Sequence, residues 1–247
     1  MRATAIEFRL RTIIILIIIT LGFVLPWITG WSLGPRISLL VWPALELSRL
    51  GLLSFKAAIP VVIVVSALLA AAGACLRIWG SAYLGPATVT APEMKAGGVM
   101  ADGPYRHVRN PLYLGSWCMI AAIAFLMAPA GAMLCMVLLT VFFFRLILGE
   151  ETFLTGKLGE PYREYLRAVP RLFPRLRCSL APAGRKPRWI PAVISEVLSI
   201  GVFVTMAFLS WSYDGQLMRR AILVSFGVSL IVRGIVAGKP GAGLEVQ

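Results

Sequence analysis

The stretch Gly103-Pro-Tyr-Arg-His-Val-Arg-Asn-Pro-Leu-Tyr-Leu-Gly115 concentrates more chemical capability than any other part of the chain. Pro104 and Pro111 push the residues before them toward extended backbone, so the chain between is held open. Gly103 and Gly115 permit close backbone approach at either end. Tyr105 and Tyr113 offer flat apolar faces with a hydroxyl, Asn110 both donates and accepts, and Arg106 and Arg109 suit anions. Two uses fit these residue types. One is an interfacial loop with arginines on lipid phosphate and tyrosines in the aromatic belt. The other is a binding site for a polar small molecule.

A second cluster, Arg145, Glu150 and Glu151, closes a long apolar run. Adjacent carboxylates can serve as first-turn acids of a helix beginning at Glu150, flanked by an arginine. They can equally accept from an ammonium group or balance a cationic ligand. Residues 112–145 read as a hairpin that leaves and returns on one side, so the two clusters are expected within one small-molecule length. Arg145 and Glu150 are a little over one helical turn apart, and one pocket is expected to be lined by both. Other chemistries find no support. There is no GxGxxG, no GxxxxGK[ST] and no GxSxG. His107 is the single histidine, so no metal centre is expected. Cys75, Cys118, Cys135 and Cys178 lack ligand or CxxC spacing and read as small apolar side chains.

The elements that must position these clusters are membrane helices. Of 247 residues, 59% are hydrophobic and only 14% charged, and the mean hydropathy is +0.84, which is membrane composition. The net charge of +13 reads as positive-inside bias and affinity for anionic lipid rather than nucleic-acid binding, since the aromatics lie in apolar runs. Residues 12–27 form a retained first span ending in a tryptophan belt at Trp27 and Trp31. Residues 32–56 hold four charges and suit a helix lying on the interface. Residues 57–75 form a second span, whose Ala70-Ala-Ala-Gly-Ala74 segment allows close helix contact and whose exit is marked by Arg77 and Trp79. Pro129-Ala-Gly131 divides 112–145 into a third and a fourth span. In the segment 150–188, nine Lys and Arg face four Glu. It reads as one helix over 150–158 stopped by Gly159 and another from Pro161 to before Pro170. Residues 190–211 and 217–236 form a last hairpin around Tyr213-Asp-Gly-Gln216. The expected fold is an all-α integral membrane protein of about six transmembrane helices, with a central helical hairpin and cytoplasmic closing segments. Both termini fall on the cytoplasmic side of an inner membrane by the basic bias; Arg219-Arg220 runs against it.

Gly-Pro-Tyr-Arg-x-Val-Arg-Asn-Pro-x-Tyr-x-Gly, an apolar hairpin, Glu-Glu, Leu158-Gly-Glu-Pro-Tyr162-x-x-Tyr165 and Val169-Pro-Arg171-x-x-Pro174 follow one another in order. This series resembles the isoprenylcysteine carboxyl methyltransferase family, to which the phospholipid N-methyltransferases are related, over about residues 76–174. The resemblance implies a division into N-terminal spans (1–75), a methyltransferase-like core (76–174), and a basic linker with a C-terminal hairpin (175–247). It implies S-adenosyl-L-methionine in a membrane-embedded pocket, held by Gly98, Val99, Met100, Gly103, Tyr105, Asn110, Pro111, Leu112 and Tyr113. Glu150 or Glu151 would meet the cofactor's amino group, and Arg145, with Arg109, would face the substrate. The family usually has His where this chain has Asn110, and His or another polar residue where it has Gly97. Asn110 cannot carry a proton near pH 7, so its expected role is to shape the pocket.

The chemistry implied is in-line displacement at a sulfonium, in which positioning does most of the work. A carboxylate acceptor is already ionised and needs no base, whereas an amine must first lose a proton. The expected activity is therefore carboxyl O-methylation of a prenylcysteine-like or other lipid-modified, amphipathic substrate at the bilayer. Three alternatives stand beside it: phospholipid or amine N-methylation, an NADPH-dependent membrane reductase, and a non-enzymatic lipid-binding protein.

Overall fold

The computed structural model describes residues 2–28, 30, 36–89, 91, 93–94, 96–175, 180–181 and 183–237. Trp31 and Cys178 lie outside them. The helices are α1 (Ala5–Arg9), α2 (Arg11–Ile28), α3 (Trp42–Arg49), α4 (Phe55–Leu84), α5 (Pro86–Val89), α6 (Pro111–Ala124), α7 (Pro129–Leu158), α8 (Glu160–Ala168), α9 (Trp189–Ser195), α10 (Val197–Phe208) and α11 (Gly215–Ala237). Short 3-10 turns occupy Gly103–Arg106 and Leu209–Ser212. No strand occurs among the described residues.

The all-α membrane architecture expected from the apolar runs is the one observed. Among the described residues four helices, α2, α4, α7 and α11, are long and apolar enough to cross a bilayer. The α9 helix and the run 197–212 bend by 68° at a break; counted as one broken span they bring the candidate crossings among the described residues to five. The remaining apolar helix, α6, has 14 residues. That is about 21 Å, less than the roughly 30 Å hydrocarbon thickness. Pro111 fixes its start, and a tight turn before Pro129 ends it.

Helices α4 and α7 err the other way. Each has 30 residues, or about 45 Å, some 15 Å more than the hydrocarbon needs. Their surplus ends, Arg77–Leu84 and Glu150–Leu158, lie at the end of the bundle that carries the Gly103–Gly115 loop. No separate helix begins at Glu150. The α7 helix runs unbroken because nothing between Arg145 and Leu158 disrupts it, and it stops at Gly159, whose φ of 64° is a glycine conformation. Helix α8 starts with Pro161 in its first turn and ends before Pro170, as expected.

Small residues set the helix crossings. A Cβ on Gly73 would stand 2.8 Å from the Gly115 carbonyl oxygen, and one on Gly115 would stand 3.0 Å from that of Gly73, so α4 and α6 touch backbone to backbone. Gly22 and Gly131 do the same for α2 and α7. The α4–α6 contact seats Asn110–Tyr113 beside the surplus turns of α4. At the far end, the Leu39 N–H donates to the Met127 carbonyl at 2.9 Å, which folds the α3 segment over the tip of the α6–α7 hairpin. Eight residues, about 12 Å, cannot cross a bilayer. In the last hairpin Tyr213 takes a left-handed φ of 56°, and Asp214 caps α11 by accepting from Gln216 and Leu217 at 2.8 and 3.0 Å.

Candidate active site

The Gly103–Gly115 loop is fastened by two segments far away in sequence. Tyr165 on α8 donates its hydroxyl to the Tyr105 carbonyl at 2.8 Å. The Arg109 N–H donates to Pro170 O at 2.9 Å, Asn110 Nδ2 to Arg171 O at 3.2 Å, and the Arg175 N–H to His107 O at 3.0 Å. His107 Nδ1 meets Arg175 O at 2.7 Å. On the other side, the Asp102 carboxylate accepts from the Gly184 and Arg185 N–H groups at 3.2 and 3.0 Å, and Arg106 Nε donates to Leu180 O at 3.1 Å. These bonds satisfy backbone groups that an open, proline-punctuated loop cannot pair internally. Gly103 is required where it stands: its φ is 54°, and a Cβ there would strike the Tyr83 ring.

Glu151 is the anchor of this arrangement. Its side chain is 9% exposed; Arg109 Nη1 lies 3.1 Å from Oε1 and Arg171 Nη2 2.7 Å from Oε2. Arg171 Nε bridges both oxygens at 3.1 Å each. One buried carboxylate thus ties α7 to the loop and to the segment after α8. The hydrogen bonds that Arg171 donates to Glu151 also hold its guanidinium charged above its ordinary range. Tyr162, Tyr165 and Val169 form a small core beneath it, against which Val99, Ala101 and Leu158 pack. Burial raises the Tyr162 and Tyr165 hydroxyls well above the usual phenol range, so both are donors at neutral pH.

Glu150 points elsewhere, being one residue or about 100° around the helix. Its carboxylate lies within electrostatic reach of the Tyr113 hydroxyl, and among the described residues it forms no ion pair. Tyr113 stacks edge-on against Phe143 at 5.6 Å. Arg11 is close enough for its charge to act on both Glu150 and Tyr113. It is held there by its own bonds to Phe8 O, Val89 O and Ala91 O at 3.0, 3.2 and 2.8 Å and by the Phe8 ring, 4.3 Å from its guanidinium carbon.

Tyr105 is the most deeply buried ring of the loop. It is 6% exposed, yet its hydroxyl has no hydrogen-bond partner, and neither does the buried Nε of Arg109. Buried polar atoms are almost always paired, so these two need a partner that the described side chains do not supply. The Tyr105 hydroxyl lies against Gly80, where a Cβ would stand 3.5 Å from it, and beside Leu112, 2.9 Å from that Cβ. Asn110 and Pro111 are buried at the start of α6, Val99 and Met100 half-buried, and Gly98 exposed with φ 119°.

Arg145 does not join this group. Its Nη2 meets Glu7 Oε1 and Oε2 at 2.7 and 2.9 Å, and its carbonyl accepts from the Ala3 N–H at 3.0 Å. Five residues on an α-helix are about 140° apart in direction, so Arg145 and Glu150 leave α7 on different faces. The spacing of slightly more than one turn also separates them by about 7.5 Å along the axis, so they do not share one site. The structure brings together Tyr105, Arg109, Asn110, Leu112, Tyr113, Glu150 and Glu151, and it adds Arg11 and Arg171. Arg171 stands in the Val169-Pro-Arg171-x-x-Pro174 motif; Arg11 had no signal beyond a basic residue before a span.

A further polar cluster adjoins the site. Arg77 Nε and Nη2 lie 2.6 and 2.9 Å from the Glu196 carboxylate, and Arg77 Nη1 is 2.5 Å from Ser116 Oγ. Ser81 and Ser199 donate to Glu196 at 2.7 and 2.9 Å. Glu196 sits at the break between α9 and α10 and is 2% exposed. The sequence did carry that signal: a lone carboxylate inside an apolar run needs a buried partner. Tyr105 lies within electrostatic reach of Arg77, Glu196 and Glu150, so its hydroxyl stands between the two clusters, and burial keeps it protonated well above the usual phenol range.

No curated protein and no solved structure matches this chain. Residues 61–160 do match a family model, described as phospholipid methyltransferase, and this stretch holds the surplus turns of α4, the Gly103–Gly115 loop, and Glu150 and Glu151. The region that builds the site is therefore similar to the phospholipid methyltransferase family, which supports a membrane methyltransferase of the phospholipid and isoprenylcysteine methyltransferase type.

Proposed function

We propose that the protein transfers a methyl group from S-adenosyl-L-methionine to a membrane amphiphile at the pocket between the Gly103–Gly115 loop and the end of α7. The observation that carries this reading is the pair of buried, unpartnered polar atoms, Tyr105 Oη and Arg109 Nε, in the region of family similarity. The donor set suits the cofactor. Glu150 is free of ion pairs among the described residues and can take an ammonium group, Arg109 Nε a carboxylate, and Tyr105 and Tyr113 have aromatic faces for a base. When bound, S-adenosyl-L-methionine supplies an electrophilic methyl on a sulfonium, and the thioether leaves as the new bond forms. Glu151 keeps Arg109 in place, α8 and residues 170–175 hold the loop, and apolar walls from Leu112 and Phe143 exclude water.

The finer reading is carboxyl O-methylation of a prenylcysteine-like acid, in which no residue has to remove a proton. Arg145 then acts at a distance, by holding the α1 segment through Glu7. A second reading, N-methylation of an amine headgroup, is favoured by the description of the matching family. In that case Glu150, beside Tyr113, is the carboxylate that would accept the ammonium proton. Isothermal titration with S-adenosylhomocysteine in detergent tests the cofactor; absence of heat at millimolar ligand would sink it. A labelled-methyl assay across prenylcysteine and ethanolamine-lipid panels separates the two acceptors. Cytoplasmic placement of this end of the bundle, proposed from the basic bias, is tested by cysteine accessibility in oriented vesicles.

A further inference from the structure

The Arg77–Glu196 cluster joins two parts of the chain that family similarity separates. Arg77, Ser81 and Ser116 lie within residues 61–160, whereas Glu196 and Ser199 lie beyond them. Glu196 is the only acidic residue between Glu164 and Asp214. Its side chain is 2% exposed and that of Arg77 14%. The pair is bidentate, Nε meeting one carboxylate oxygen at 2.6 Å and Nη2 the other at 2.9 Å. Nη1 reaches on to Ser116 Oγ on α6, and Ser116 in turn donates to the Leu112 carbonyl at 2.9 Å. Beside the cluster the Arg188 N–H donates to the Ala82 carbonyl at 2.8 Å, so the chain entering α9 is fastened to the same end of α4.

What the cluster holds is the first two turns of α6. A Cβ on Gly115 would stand 2.8 Å from Arg77 Cγ, and one on Gly80 would stand 2.9 Å from Leu112 Cδ2 and 3.5 Å from the Tyr105 hydroxyl. The Arg77 stem therefore lies across α6, between the Gly73–Gly115 crossing and the Gly80–Leu112 contact. Its Nη1, bonded to Ser116, fixes how α6 is turned about its own axis. Asn110, Leu112 and Tyr113 take their directions from that turn. The start of α6 has little of its own to hold it: Pro111 has no N–H, and the Asn110 side chain makes no cap hydrogen bond. Fastening alone is a weak reason for such a pair, because apolar residues of similar volume often hold helices together as well or better. An arginine fork supplies what apolar packing does not, a fixed direction. Glu151 pins the loop before α6 from the α7 side, and Glu196 pins the helix from the α4 side.

We propose that Glu196 is a positioning residue for methyl transfer: by holding Arg77 it orients the first turns of α6, and residues beyond 61–160 thereby complete the site. This rests on the methyl-transfer reading above. The test compares the full chain in maltoside micelles with Glu196→Gln, with Arg77→Lys, and with the double variant Arg77→Met, Glu196→Leu. Glu196→Gln leaves a buried arginine uncompensated and should lower the unfolding midpoint, whereas the double variant should recover the wild-type midpoint. Even so, the double variant should bind S-adenosylhomocysteine ~10-fold or more weakly than wild type. Without ligand, its amides over residues 112–117 should exchange ~10-fold or more faster, while those of α7 exchange as in wild type. Arg77→Lys keeps the charge but has no fork to span Glu196 and Ser116, so it should show the same two losses; it decides the matter if the double variant does not fold. The proposal is overturned if the folded variants bind S-adenosylhomocysteine like wild type, if exchange over 112–117 is unchanged, or if affinity only follows the midpoint from variant to variant, as a purely structural pair requires. Failure of wild type to bind S-adenosylhomocysteine defeats the methyltransferase reading instead, and the exchange arm still decides whether the pair orients α6.

Discussion

Neutralising Glu151 separates a structural carboxylate from a ligand-binding one. In Glu151→Gln the buried Arg109 guanidinium, 11% exposed, loses its only ion-pair partner among the described residues, and Arg171, 34% exposed, loses its own. Removing one partner of a buried pair costs about 3–5 kcal/mol. Arg171 regains water, so it adds little, and we take about 3 kcal/mol for the variant. For a chain of this size that lowers the unfolding midpoint by roughly 6–12 °C. Because Glu151 joins α7, the loop and residues 170–175, early loss should appear as faster proteolysis around Arg171 and Arg175. Glu150→Gln is the control. Glu150 has no ion pair among the described residues, so its midpoint should move by less than about 1 kcal/mol equivalent, while affinity for S-adenosylhomocysteine drops ~10-fold or more as an ammonium contact weakens. Both quantities come from one preparation, by thermal denaturation followed with a thiol-reactive dye and by calorimetric titration. The reasoning is refuted if Glu151→Gln melts with wild type, or if Glu150→Gln loses stability while keeping full affinity.

Tyr105→Phe removes a buried hydroxyl without a partner. The ligand-free protein should be as stable as wild type or up to ~1 kcal/mol more stable, while ligand affinity falls several-fold; a clear loss of ligand-free stability would mean that the hydroxyl is paired. Gly103→Ala combines a φ of 54° with a clash against Tyr83, whereas Gly159→Ala meets only the strain of φ 64°, with nothing within 4 Å. Gly103→Ala should cost about 3 kcal/mol or more and Gly159→Ala about 1 kcal/mol, measured as midpoints in denaturant; equal costs would remove the close contact from the account. Glu7 titrates below its ordinary 4.5, chiefly through the Thr4 N–H and further through Arg145. A carboxyl with a lowered folded-state pKa stabilises above the unfolded value and loses that contribution as pH falls through the folded one. Hydrogen-exchange protection of residues 2–9 should therefore decline below about pH 4.5, and Glu7→Gln should show no such decline.

Chain order alone told much about this protein, for a plain reason. Apolar runs of bilayer length must become helices, because no other local structure satisfies the backbone in hydrocarbon. Pro111, Pro129, Gly159 and Pro161 mark helix ends by steric rules that need no neighbours. The paired prolines and rings of Gly103–Gly115 stood out by residue type, and they lie beside the buried Glu151 and its arginines. Tertiary structure decided what the charges do. Glu150 and Glu151 are identical in sequence terms, yet a rotation of about 100° gives one to Tyr113 and the other to Arg109 and Arg171. Arg145 goes to Glu7, across 138 residues, and Arg77 to Glu196, across 119. A buried charge takes whichever partner packing brings within about 3 Å, and that choice depends on helix rotation and on crossings such as Gly73 against Gly115, neither of which linear spacing encodes.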